Sequence, residues 1–170
     1  MKILKLFALL LCCSWYSGNA QEISDHALGL RLGDSDGFGA EISYQKSLFE
    51  FNRLEANLGW RDSRYFDAFK VSALYQWIFP IENNFNWYYG AGAGLGNVDF
   101  APVPGSEPGN TRTPDGGLFV FAAGDIGVEY SFDIPLLLSI DFRPEIGLAG
   151  YKNFSDNFDF DIALGIRYKF

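Results

Sequence analysis

Long apolar runs are missing from this sequence. The N-terminal one, Ile3 to Leu11, is interrupted by Lys5. Neither it nor any later stretch approaches the roughly 20 uncharged apolar residues that a helix needs to cross a bilayer, so a helical membrane protein is excluded. Cysteine is scarce: Cys12 and Cys13 are the two present, and none follows to form a disulfide or a thiolate metal site. Histidine occurs once, at His26. Positive charge is in deficit, with 13 Lys and Arg against 21 Asp and Glu, a net charge of -8. Simple repulsion therefore disfavours a nucleic-acid partner.

The first twenty residues read as a secretory signal. Lys2 and Lys5 supply a positive start, Ile3 to Leu11 an apolar centre, and Gly18 and Ala20 the small residues that a signal peptidase needs. Residues 1–20 are thus expected to be a signal peptide, and 21–170 one domain beginning at Gln21, with a net charge of -10 once Lys2 and Lys5 are gone. The rival reading, a lipidated cysteine, places Leu11 or Cys12 where such signals carry a small side chain, and fits less well.

What the chain does have is aromatic residues, 18% of the total, in a sequence whose mean hydropathy is close to zero. Apolar side chains diluted evenly by polar ones suggest alternation, the pattern of a sheet with two differently solvated faces. Alternation can be read eight times. Leu28, Leu30 and Leu32 oppose Ala27, Gly29, Arg31 and Gly33; after a turn at 34–37, Phe38, Ala40, Ile42 and Tyr44 oppose Gly39, Glu41, Ser43 and Gln45. Further segments run over 53–60, over 69–79 with Pro80 as the stop, over 85–96, over 118–132, and over 136–145 with Pro144 inside it. The last, 158–170, sets Phe158, Phe160, Ile162, Leu164, Ile166, Tyr168 and Phe170 against Asp159, Asp161, Ala163, Gly165, Arg167 and Lys169. Links near 46–50, 80–84 and 133–135 are short, and the one from Asn97 to Gly117 is long and rich in Pro and Gly.

Volume decides which face is inside. An eight-stranded barrel has an interior only just filled by ordinary side chains, so Leu, Ile, Phe, Tyr and Trp from eight strands cannot fit there. Turned outward, they cover a hydrocarbon band. The other face then brings Arg31, Arg53, Lys70, Arg143, Arg167 and Lys169 together with Glu41, Glu55, Asp125, Glu129, Asp141, Glu145, Asp159 and Asp161. Such charges tolerate enclosure when paired. The alternating Gly90, Gly92, Gly94 and Gly96 are expected to leave room for the long Arg and Lys side chains. One aromatic belt is expected at Tyr44, Trp77, Phe79, Phe85, Trp87, Tyr130, Phe132, Tyr168 and Phe170, and a looser one at Trp60, Phe66, Tyr151 and Phe158. The expected fold is therefore all-β, an eight-stranded antiparallel transmembrane up-and-down β-barrel of an outer membrane. Its short turns and both termini would lie on the periplasmic side and its long loops outside.

In this pattern, and in the final Tyr168-Lys169-Phe170, the chain resembles the small outer-membrane β-barrel proteins of the OmpA and OmpX type. The resemblance spans almost all of 21–170. It implies the bilayer of the outer membrane as surroundings, a monomer, and transient partners in the barrel-assembly machinery and a periplasmic chaperone, the terminal aromatic being the recognition signal.

No catalytic, cofactor-binding or metal-binding residue is assigned. His26 lies at the expected periplasmic rim without a local Ser or Asp constellation, so it reads as structural and an enzyme is not expected. Asp156, Asp159 and Asp161 lack the glycine and ligand spacing of a calcium loop. The run around Gly92 matches neither nucleotide-loop pattern. The loop from Asn97 to Gly117 is the place for any external contact. Two roles remain: a structural or surface-interaction barrel with a plugged interior, or a narrow channel or carrier for a small solute. A secreted soluble barrel holding an apolar ligand would need the faces reversed.

Overall fold

The computed structural model describes residues 24–33, 39–63, 66–100, 116–150 and 158–170. The segment expected to be a signal peptide lies outside them, as do the turn expected at 34–37 and the residues 101–115 and 151–157. Eight strands form: β1 (His26–Leu32), β2 (Ala40–Phe49), β3 (Asn52–Asp62), β4 (Phe66–Glu82), β5 (Phe85–Phe100), β6 (Gly117–Ser131), β7 (Leu136–Ala149) and β8 (Phe158–Lys169). Each pairs antiparallel with its neighbours in sequence, and β1 closes on β8, so the sheet is an up-and-down barrel without an edge. Closure satisfies every ladder, the condition for a sheet to cross lipid. Arg31 shows the seam: it faces Glu41 on β2 and Gly165 on β8.

Burial follows the two-residue period along every strand. Leu28, Leu30, Ile42, Leu58, Val71, Leu95, Ile126, Ile140, Leu164 and Ile166 are exposed, whereas Arg31, Glu41, Glu55, Lys70, Asp125, Arg143 and Arg167 are buried. The apolar face is outward, as the volume argument requires.

Several boundaries differ from the sequence reading. β2 continues to Phe49, making Glu50 and Phe51 the turn, because Lys46 and Ser47 still pair with Leu54 and Arg53. β4 passes Pro80 and reaches Glu82; a register shift between Pro80 and Glu82 absorbs the missing donor. The tight turn after it is Asn83-Asn84, with Asn83 at φ 50°, a left-handed conformation that asparagine tolerates. Pro144 is accommodated differently. The β6–β7 ladder jumps from Ala123↔Glu145 to Ile126↔Phe142, and Pro144 occupies the gap, packed toward Gly124. Residues 97–100, expected to be loop, belong instead to β5, which runs on to Phe100, paired with the start of β4 through Phe69↔Asn97, Ala68↔Val98 and Phe66↔Phe100.

That extension has an apolar inner face, which the alternation had not singled out. Val98, Phe119, Phe121, Leu74 and Ala123 form a buried cluster, with Phe66, Ala68 and Phe100 packed on it. Phe66 therefore belongs to the interior and not to an outer belt. The glycine run serves this cluster: a side chain at Gly94 would collide with the Phe121 ring and one at Gly96 with the Phe119 ring. At Gly90 and Gly92 the obstacle is β4 itself, Tyr75 O and Ala73 O. The glycines thus admit two phenylalanines and a close strand approach, and not the long cations expected. Gly165 does play that part, since its position abuts the Arg167 guanidinium.

Candidate functional site: the charged interior

Alternation sends one charged or polar side chain inward from nearly every second residue, and eight strands aim them at a common axis. Arg31 donates from Nε and Nη2 to Asp141 Oδ1 at 2.9 and 2.6 Å, and from Nη1 to Asp161 Oδ2 at 2.6 Å and Glu41 Oε2 at 3.2 Å. Glu41 also meets Lys70 at 3.4 Å and Arg143 at 3.5 Å. Lys70 lies 3.1 Å from Glu145 and 5.6 Å from the centre of the Phe121 ring, joining the ionic interior to the apolar cluster.

Glu55 is the second node. It accepts from Arg143 at 2.8 Å, Arg167 at 3.3 Å, Gln45 at 2.6 Å and Gln76 at 3.2 Å. Arg143 further approaches Asp125 at 3.7 Å, and Gln76 donates a short hydrogen bond to the same carboxylate. Arg167 is completed by Ser43 at 2.9 Å and Ser139 at 2.8 Å. Nearer the termini, Arg53 donates to Glu129 and Gln76, each at 2.6 Å, and lies 4.8 Å above the Tyr88 ring.

Isolated charges would be prohibitively costly here, but each has opposite charge beside it, and Glu55, Asp125, Arg53 and Arg167 also bond neutral side chains. Residues from all eight strands thereby hold one another. Arg31, Arg143 and Arg167 are at most 1% exposed, so solvent does not reach these three guanidinium groups.

Most of the charges expected inside are there. Lys169 is only half-buried and donates to Ser131 Oγ at 2.6 Å and Phe132 O at 2.8 Å instead of entering the network. Asp159 is exposed and accepts from its neighbour Phe160 N, because β8 has risen to the rim by that point. The sequence reading overlooked the neutral connectors Gln45, Gln76, Ser43 and Ser139. Their inward parity was visible, but charge alone had been used to choose the members.

Outside, rings gather at the end that carries the termini. Trp77 stacks on Tyr89 at 5.2 Å, Phe79 on Trp87 at 4.8 Å, and Tyr130 meets Phe85 at 4.6 Å and Phe132 at 4.7 Å. His26 belongs to this belt: its ring stacks on Phe170 at 5.5 Å, and Nδ1 is 2.7 Å from the Tyr44 hydroxyl. Of the looser belt, Trp60 and Phe158 are exposed, while Tyr151 lies outside the described residues. The same holds for the loop segment 101–115, the expected place of external contact.

No protein-family model and no curated protein sequence matches the chain. Solved structures do. Neisserial surface protein A is similar at 16% identity and a TM-score of 0.57, over 86% of this chain and 94% of that one. The N-terminal β-barrel domain of Pseudomonas aeruginosa OprF is similar at 12% identity and 0.59, over 85% and 95%. Ail, the attachment invasion locus protein of Yersinia pestis, is similar at 16% identity and 0.53, over 86% and 97%. At such identities the likeness is one of fold. The chain has the architecture of small outer-membrane barrels.

Proposed function

We propose that this chain is an integral outer-membrane barrel whose lumen is plugged by its own side chains, serving as a membrane-anchored scaffold for contacts made by its outer loops. The observation that carries this reading is the interlocked set Arg31, Glu41, Glu55, Lys70 and Arg143, buried and bonded across the barrel axis. A solute would have to break several charge-assisted bonds to pass. Surface contact is supported by the likeness to a protein named for attachment. At the described outer rim Asp62, Asp67 and Asp99 lie in one register row, which disfavours a polyanionic partner. The packing of His26 between Tyr44 and Phe170 supports a structural role for it and a barrel without catalysis.

The exposed Tyr168 and Phe170 at the end of β8 suit recognition by the barrel-assembly machinery after delivery by a periplasmic chaperone. The protein is proposed to act as a monomer, with the signal peptide removed on export. Conductance is the test. Purified protein in a planar bilayer is expected to give no steady single-channel steps, and regular currents would instead assign it to the narrow channels.

A further inference from the structure

We propose that His26 is the clasp of the barrel: its ring, held between β2 and the last residue of β8, keeps the closing seam shut at the end that carries the termini. The seam is where a clasp has most to do. β1, with 7 residues, is the shortest of the eight strands, and its ladder with β8 extends only from Ala27↔Lys169 to Leu32↔Leu164. Its partner strand comes from the other end of the barrel's sequence, so contacts across this seam form only when the sheet closes. One position beyond the ladder, His26 meets Phe170. The Phe170 N–H donates to His26 O at 3.0 Å, and the imidazole stacks on the Phe170 ring with centroids 5.5 Å apart and planes 14° from parallel. Toward β2 the same imidazole stacks on Tyr44 at 6.0 Å, and Nδ1 lies 2.7 Å from the Tyr44 hydroxyl. One side chain thus joins β2, β1 and β8 across the closure.

Toward β7 the end of β8 is held by different means. Lys169 N donates to Pro135 O at 3.1 Å, and Lys169 Nζ donates to Ser131 Oγ at 2.6 Å and Phe132 O at 2.8 Å. Those bonds involve only β6, β7 and β8, which follow one another in the chain, and they can form in a sheet that is still open. The contact between Phe170 and His26 cannot. Lys169 therefore seats the end of β8 on the β6–β7 turn, and docking of Phe170 on His26 closes this end of the cylinder. Histidine suits the place because its flat ring offers a face to Phe170 and a nitrogen to the Tyr44 hydroxyl at once, which no aliphatic side chain does. Taken with the recognition reading above, on which this one clause rests, Phe170 serves twice, first as a signal and then as the closing contact. The inference otherwise goes beyond the scaffold role, since it concerns how the barrel is kept closed.

Hydrogen exchange at two neighbouring amides of the intact barrel, read by NMR in micelles, provides the test. No assembly machinery is present there, so failure of the recognition reading would leave these outcomes untouched. Phe170 N–H bonds across the seam to His26 O, whereas Lys169 N–H bonds away from it to Pro135 O. His26→Ala is expected to speed exchange at Phe170 by about tenfold, through loss of the ring stack, and to leave Lys169 within about twofold of the parent. His26→Phe restores a ring and is expected to bring Phe170 back toward the parent rate. Tyr44→Leu leaves both seam residues in place and stays readable should His26→Ala not assemble; it is expected to speed Phe170 by a smaller factor. Unchanged exchange at Phe170 in these two truncated variants, equal acceleration at Lys169, or a His26→Phe barrel exchanging as fast as His26→Ala would each overturn the proposal.

Discussion

Replacing Glu55 by Gln is expected to destabilise the barrel by about 3–5 kcal/mol, the range for removing one partner of a buried ion pair. The substitution keeps the shape of the side chain and removes its charge. Among the described residues Arg167 then has no carboxylate within ion-pair distance, keeping the hydroxyls of Ser43 and Ser139, and Arg143 keeps the carboxylates of Glu41 and Asp125 at 3.5 and 3.7 Å. The new amide NH₂ would also point a donor at groups that are themselves donors. Urea unfolding from lipid vesicles, followed by tryptophan fluorescence, measures the loss. Combining Glu55→Gln with Arg167→Gln should recover part of it, because the second change removes a charge that the first left unpaired. A Glu55→Gln barrel within about 0.5 kcal/mol of the parent would mean that these charges are screened by water in a wide lumen.

The outer face gives the other large effect. Leu164 is exposed near mid-height on β8, beside Leu32 on β1 and Ile140 on β7. Leu164→Arg is expected to cost about 2–4 kcal/mol, as for a cation at the bilayer midplane, whereas Phe158→Arg at the end of the same strand should cost only about 0–1 kcal/mol. The contrast matters more than either number. Hydrophobic burial in a soluble protein would not make the penalty depend on depth. Equal penalties at 158 and 164, measured by the same unfolding transition, would argue against a membrane band.

The strands were legible because a lipid-facing sheet imposes alternation at every residue, and 158–170 keeps it without a break. The facing of the sheet followed from volume, since the bulky face could not be turned in. The ends were harder to read. Pro80 looks like a stop in a sequence and Pro144 like a fault within a strand, yet a bulge at one and a skipped ladder position at the other let the strands continue. Asn97 to Phe100 looks like loop until the start of β4 is seen to pair with it. Phe119 and Phe121 were the more instructive miss. Their parity points inward, but apolar rings did not suit an interior read as ionic, and the space they fill is created by Gly94 and Gly96 on another strand. Complementarity of that kind is a property of neighbours in the barrel and is invisible in either strand alone.

The central claim is that the apolar face meets lipid and the charged face fills the lumen, and alanine methyl groups report on both without any mutation. In a barrel reconstituted with protonated lipid, nuclear Overhauser contacts from acyl-chain protons are expected at Ala73, Ala91 and Ala93, which are exposed, and not at Ala27, Ala123 and Ala163, which are at most 5% exposed. Contacts at the second set and not the first would mean that the barrel is turned inside out relative to the structure described, with the face that carries the ionic network against the acyl chains.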